Sequence, residues 1–267
     1  MVEMDETTLR ALSAKAGLSM QFVNKETKLF EALSRILSAN TETKLDLVLK
    51  GGTALNKAYF QGSQRFSEDI DLDYFSEDPK KQKIENLKRL VNSLEGFEIT
   101  GPWVFKNTIR FQLNYKFLGL PDHVRVEFAI NKPLITANPI AKVDISSDIT
   151  GNTLFGVPCY SLDDLVARKF NALRERTQGK DIWDCAHAIP KTKDLKKAIG
   201  YALKAEGNDI GVKEALDGAI ASLKKVDYIK IRKLTNQYIP LEIRPRDWRG
   251  FMPTLIHEIE KLKDQLK

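Results

Sequence analysis

The sequence holds two cysteines and three histidines in 267 residues, and that scarcity removes several chemistries at once. Cys159 and Cys185 are too few for a disulfide framework or a Cys-rich zinc site. His123, His187 and His257 lie far apart and in no zinc-ligand pattern, and no nucleophilic triad emerges. His187, after "KDIWDCA", reads as a packed or surface side chain. No apolar run approaches the roughly 20 residues that a membrane helix needs. The opening "MVEMDETTLR" lacks a charged region followed by an apolar core, so no secretory signal is read there. Internal repeats and low-complexity tracts are absent as well. The expectation is a soluble protein of a reducing cytoplasm, with no membrane partner.

What the chain does have is length, basic charge and clear periodicity. Its length suits one large domain or two modest ones. A net charge of +6 and a pI near 9.1 favour acidic partners such as nucleotides or RNA. Residues 1–45 read as a helical segment, with Leu29, Phe30, Leu33, Ile36 and Leu37 on one face. From 46 to 159 the period changes. "DLVL" suits a buried strand, Thr53 to Phe60 a helix, and "SEDIDLDYF" an alternating strand. Residues 80–95 suit a surface helix, "TIRFQLNYKF" and "HVRVEFAI" alternate as half-buried strands, and "TLFGVPCY" closes the block. After a turn at Pro158–Ser161 the pattern is helical, over 161–176, 179–189, 194–205, 211–225 and 252–266. The predicted architecture is α/β (α+β): a mixed sheet with flanking helices over 46–159, and a helical domain over 160–267.

Two segments carry chemistry. In "SEDIDLDYF", Asp69 and Asp71 share a strand face, and two carboxylates so close repel unless a cation lies between them. A divalent metal such as Mg²⁺ fits, with Glu127 on a neighbouring strand as a candidate third ligand for a two-metal clamp. The alternative is the solvated face of an edge strand, and Asp73 is assigned to it. Upstream, "LVLKGGTAL" reads as strand, tight turn and helix, so Gly51 and Gly52 let phosphate oxygens approach backbone amides at a helix start. Thr53 adds a hydroxyl and Lys57 a cation four residues on. By itself such a turn is also a plain strand–helix connection.

The second segment is "SLDDLVARKFNALRERTQGKDIWD". Ser161 and Asp164 resemble a capping box. Leu162, Leu165, Val166 and Leu173 form an apolar stripe with Lys169 in its middle and Arg176 beside it. A cation there either meets an anion or snorkels to water. Asp181 and Asp184 are neighbours on the next helix, where they could also be dipole-favoured N-terminal charges. A helical domain that aims Lys169, Arg174 or Arg176, and Asp181 at the acidic strand would close a nucleotide cleft. Asp181 would then orient the lysine or act as a base. Trp183 and Trp248 read as core or interface, with RNA contact by "RPRDWRG" as the alternative.

The run Gly51–Gly52–Thr53, then Arg65, "SEDIDL", "K-x-x-A-L-x-x-R" and "KDIWD" resembles the AbiEii/AbiGii toxin family over roughly residues 46–190. That family has the DNA polymerase β-type nucleotidyltransferase fold and serves in toxin–antitoxin and phage-defence systems. The resemblance implies an NTP substrate, Mg²⁺ on Asp69 and Asp71, an essential lysine and aspartate at Lys169 and Asp181, and a cognate antitoxin. Some members modify the 3′ end of tRNA. The superfamily usually carries Gly-Ser where this chain has Gly51–Gly52. The expected activity is nucleotide transfer from an NTP to an RNA acceptor. Gly51, Gly52, Thr53, Lys57, Arg65, Arg174 and Arg176 are the expected nucleotide contacts. Transfer to a small molecule or a protein side chain, and non-catalytic nucleotide binding, are the competing readings.

Overall fold

The computed structural model describes residues 4–130 and 134–266. The helical expectation for 1–45 begins on residues 1–3, which lie outside the described residues. Two helices open the fold, α1 (Glu6–Ala16) and α2 (Met20–Thr43). Gly17 ends the first in the left-handed region at φ 62°, and Ser19 caps the second by accepting the Phe22 amide.

β1 (Asp46–Lys50) runs directly into α3 (Gly51–Tyr59), so the helix expected from Thr53 starts two residues earlier. β2 (Asp69–Phe75), α4 (Lys80–Asn92), β3 (Glu98–Val104), β4 (Thr108–Phe117), β5 (Leu120–Ala129), β6 (Ala141–Ser146) and β7 (Thr153–Cys159) follow. The sheet order is β3-β4-β5-β2-β1-β7-β6. β2 runs parallel to β5 and β1 parallel to β7, while the other neighbours are antiparallel, which makes the sheet mixed. β4 shows why alternation was readable: Ile109, Phe111 and Leu113 are fully buried, and Arg110 and Gln112 between them are not. β3 and β6 gave no such signal. They are the two edge strands, and β3, mostly exposed, carries Gly101 and Pro102.

The helices α5 (Leu162–Glu175), α6 (Gly179–Ala188), α7 (Leu195–Ala205), α8 (Val212–Lys224), α9 (Tyr228–Thr235) and α10 (Trp248–Asp264) complete the chain. Ser161 caps α5 by accepting the Asp164 amide at 3.1 Å. The Asp164 carboxylate instead accepts the amides of Ala137 and Asn138, so only half of a capping box is built. One apolar core extends from Leu29 and Phe30 of α2 through the sheet to Leu255 and Ile259 of α10. Trp183 and Trp248 belong to it; the Trp248 ring nitrogen donates to Asn236 at 2.8 Å, and burial of the ring leaves it no face for a base. No described helix is long and apolar enough to cross a membrane.

Candidate active site

Strand register sets the site. Lys50 at the end of β1 faces Asp71 of β2, and Asp71 lies beside Glu127 of β5. Asp69 and Asp71 share one sheet face, as period two requires. Asp73 departs from expectation. It is 2% exposed, forms an ion pair with Lys50 and accepts the Tyr160 hydroxyl. β2 is a central strand, so a carboxylate at its far end needs internal partners instead of solvent.

The glycine pair has a steric explanation. Gly51 adopts φ 74°, and a Cβ there would lie 2.2 Å from Asp71 Oδ2. A Cβ on Gly52 would lie 2.7 Å from an Arg65 nitrogen. Only glycines let the start of α3 lie this close to β2. No side chain caps that helix start, which leaves its first-turn amides suited to an anion.

A cleft of about 350 Å³ opens at this point. Lys50, Gly51, Gly52, Asp71 and Asp73 line one side; Arg168, Lys169, Asn171 and Arg176 line the other, with Glu206 at the rim. Behind it runs a chain of alternating charges. Arg176 donates two hydrogen bonds to Asp181, at 2.9 and 3.2 Å. Lys169 bridges Asp181 at 2.9 Å and Asp184 at 3.0 Å. Asp184 in turn accepts two hydrogen bonds from Arg65, at 2.8 and 2.7 Å, and one from Asn56. Burial would raise the Asp181 carboxyl, but Lys169 and Arg176 bring it down to about 2. Burial disfavours the Lys169 ammonium, yet Asp184 and Asp181 hold its pKa above the ordinary lysine value. The lysine in the apolar stripe therefore meets anions and does not snorkel.

The acids of β2 are under electrostatic load. Burial first, then the neighbouring Asp69 and Glu127, push Asp71 up to about 6 against the pull of Lys50 and Lys169. A divalent cation relieves such crowding, and Asp69 with Asp71 form a donor pair of the right chemistry. The third ligand is not free. Arg110 and Arg125 lie 2.9 and 3.5 Å from Glu127, and Arg125 also pairs with Asp69. Among the described residues, no group of three or more His, Cys, Asp or Glu side chains is placed to hold a metal ion.

Of the expected nucleotide contacts, Gly51, Gly52 and Arg176 reach the cleft, and Thr53, Lys57, Arg65 and Arg174 do not. The Thr53 hydroxyl ties α3 to β2 by donating to the Asp69 carbonyl. Lys57 is fully buried against Glu26 of α2, and Arg65 is buried against Asp184. Lys57 sits on α3 and Arg65 in the segment between α3 and β2, and each, being buried, needs a fixed anion. Arg174 packs on Gly218 and faces a neighbouring groove. Sequence reasoning overlooked Lys50, Arg168, Asn171 and Glu206. Lys50 stands directly before the glycines. Arg168 lies beside Lys169, its guanidinium 4.4 Å from the Tyr160 ring centre and its Nε buried without a hydrogen-bond partner.

Comparison with curated proteins returns no match. Among solved structures, the fold is similar to MenT4, a nucleotidyltransferase toxin from Mycobacterium tuberculosis H37Rv. The two share 19% identity over 96% of this chain and 90% of that one, with a TM-score of 0.62. It is also similar to JHP933 from Helicobacter pylori, at 19% identity over 93% and 94% of the two chains and a TM-score of 0.55. At these identities the likeness shows the fold, a nucleotidyltransferase-type mixed sheet with helices. The family described as nucleotidyl transferase AbiEii toxin, of type IV toxin–antitoxin systems, matches residues 32–266. The glycine turn, Asp71 and Lys169 line one cleft, while Asp69 and Asp181 stand behind its lining; with a match over most of its length, this chain belongs to the AbiEii nucleotidyltransferase toxin family.

Proposed function

We propose that the protein transfers a nucleotide from an NTP to an RNA acceptor, the 3′ end of tRNA, with Mg²⁺ held by Asp69 and Asp71. One observation carries this reading: Asp71 lies against the uncapped glycine start of α3 and faces Lys169 and Arg176 across a single cleft. When bound, the metal would neutralise charge on the phosphates and favour ionisation of the acceptor hydroxyl. The chain's own groups supply the rest. First-turn amides of α3 donate to phosphate oxygens. Lys169, held as ammonium by Asp181 and Asp184, and Arg176 at the rim offset charge that builds at the phosphorus. The acceptor 3′-hydroxyl attacks the α-phosphorus, and pyrophosphate leaves.

Asp181 orients and does not act as base, because a carboxyl brought down to about 2 and shared between two cations is a weak proton acceptor. The net charge of +6 supports a polyanionic acceptor. Membership of a type IV family brings an antitoxin partner.

The test is incubation with each α-³²P-NTP, Mg²⁺ and total tRNA, alongside Asp71→Asn and Lys169→Ala. Label in tRNA that needs both residues supports the proposal. Label on the protein or on a small-molecule acceptor, with none in tRNA, refutes the RNA acceptor. Failure of the intact protein to bind any NTP refutes transfer altogether.

A further inference from the structure

A second cavity, of about 840 Å³, opens beside the cleft. Glu175 and Arg176 line both, so the two spaces meet at the end of α5. One wall is the α5–α6 connection, with Arg174, Arg176 and Lys180; the other brings Lys225 from the end of α8 and Lys230 from α9. Gly179 seats directly on Thr235, where a Cβ would lie 1.9 Å from its hydroxyl, and so joins the walls at the base. Two acids also line the groove, but Asp227 is engaged in capping α9, accepting the amides of Ile229 and Lys230 at 2.9 and 3.1 Å. Lys225 and Lys230 are exposed, with no acidic partner among the described residues. At the edge, the Lys180 ammonium sits 3.6 Å from the Tyr238 ring centre.

We infer that this groove holds the single-stranded end of a nucleic-acid acceptor and delivers its terminal ribose past Arg176 to Asp71. The inference rests on the transfer reading above. Exposed Lys225 and Lys230 on one wall and exposed Arg176 on the other suit a run of phosphates passing between them, while Lys180 is paired with Glu68, and side-chain amides and a ring edge tolerate any base. Arg176 links the two spaces, since it lines both while donating to Asp181 at 2.9 and 3.2 Å.

The experiment is fluorescence anisotropy of a short 5′-labelled single-stranded RNA over a salt series, with NTP affinity measured on the same samples. The test variant is Lys225→Ala with Lys230→Ala; the charge-matched control is Lys81→Ala with Lys142→Ala, neither of which lines the groove. The test variant is expected to weaken RNA binding about tenfold and to flatten log K against log salt by about 1.4, at roughly 0.7 per phosphate contact on a single strand. NTP affinity and the control stay at the wild-type value. An unchanged slope, an equal loss in the control, or a parallel loss of NTP affinity overturns the groove and leaves the transfer reading standing. Wild-type protein that binds NTP but no RNA overturns both the groove and the RNA acceptor. RNA binding through these lysines without any NTP binding overturns transfer alone. Tighter, lysine-dependent capture of polyglutamate than of RNA overturns the groove's assignment to nucleic acid.

Discussion

At the scale of single residues, Gly51 and Asp71 constrain one another. Gly51→Ala forces a side chain into left-handed backbone and into the Asp71 carboxylate. A stability loss of about 1–2 kcal/mol is expected from the backbone alone, and label transfer should fall by about 100-fold or more as Asp71 is displaced. Gly62→Ala separates the two effects. Gly62 is equally left-handed at φ 77°, but nothing lies near its missing side chain, so stability falls and transfer does not. Thermal denaturation beside the transfer assay reads both.

Asp71 gives a pH prediction. Its folded value of about 6 lies above the ordinary 3.8, so the metal-free fold prefers the protonated acid. That stabilisation is present below about pH 4 and is lost as pH rises through 6. Asp71→Asn should therefore raise the melting temperature of metal-free protein at pH 8 by roughly 5 °C and leave it unchanged near pH 4. An equal shift at both pH values would contradict the assignment. Asp69 and Asp71 were legible because strand alternation fixes which face a side chain takes. Asp73 was misread because alternation says nothing of a strand's place in the sheet.

At the scale of elements, α5 and α6 act as one unit through Lys169, Asp181 and Asp184. Asp184→Ala leaves Arg65 and Lys169 without a shared anion in a buried site, and is expected to cost about 3–5 kcal/mol by urea denaturation. Asp181→Asn should cost less, because Arg176 keeps contact with solvent, while transfer drops as Lys169 loses its orientation. A larger stability loss for Asp181→Asn would reverse that order. A cation in an apolar stripe pointed to a buried anion, and the spacing of Asp181 and Asp184 pointed to a shared face. Lys57 and Arg65 show the limit of such reading. A sequence displays a cation but not the anion that meets it, and theirs are Glu26, from α2, and Asp184, from α6.

At the scale of the molecule, one core joins the sheet to the helices that follow it. Unfolding in urea is expected as a single transition, with tryptophan fluorescence, which includes the buried Trp183 and Trp248, coincident with far-ultraviolet circular dichroism. Two separated transitions would show that the sheet and the helices fold independently. The α/β order and most helices were readable from periodicity. The edge strands β3 and β6 and the short α9 were not, because a half-exposed element buries too few side chains to leave a regular trace.

The line of charges from Arg176 to Arg65 has a kinetic meaning. Three cations alternate with two carboxylates, so the line keeps a net positive charge, and the half-exposed Arg176 keeps N–H groups that Asp181 does not use. A phosphate entering the cleft meets these groups without displacing a carboxylate. Because Asp181 and Asp184 already draw on the same cations, the grip on any one phosphate is moderate, a property suited to releasing a charged product as readily as a charged substrate is taken up.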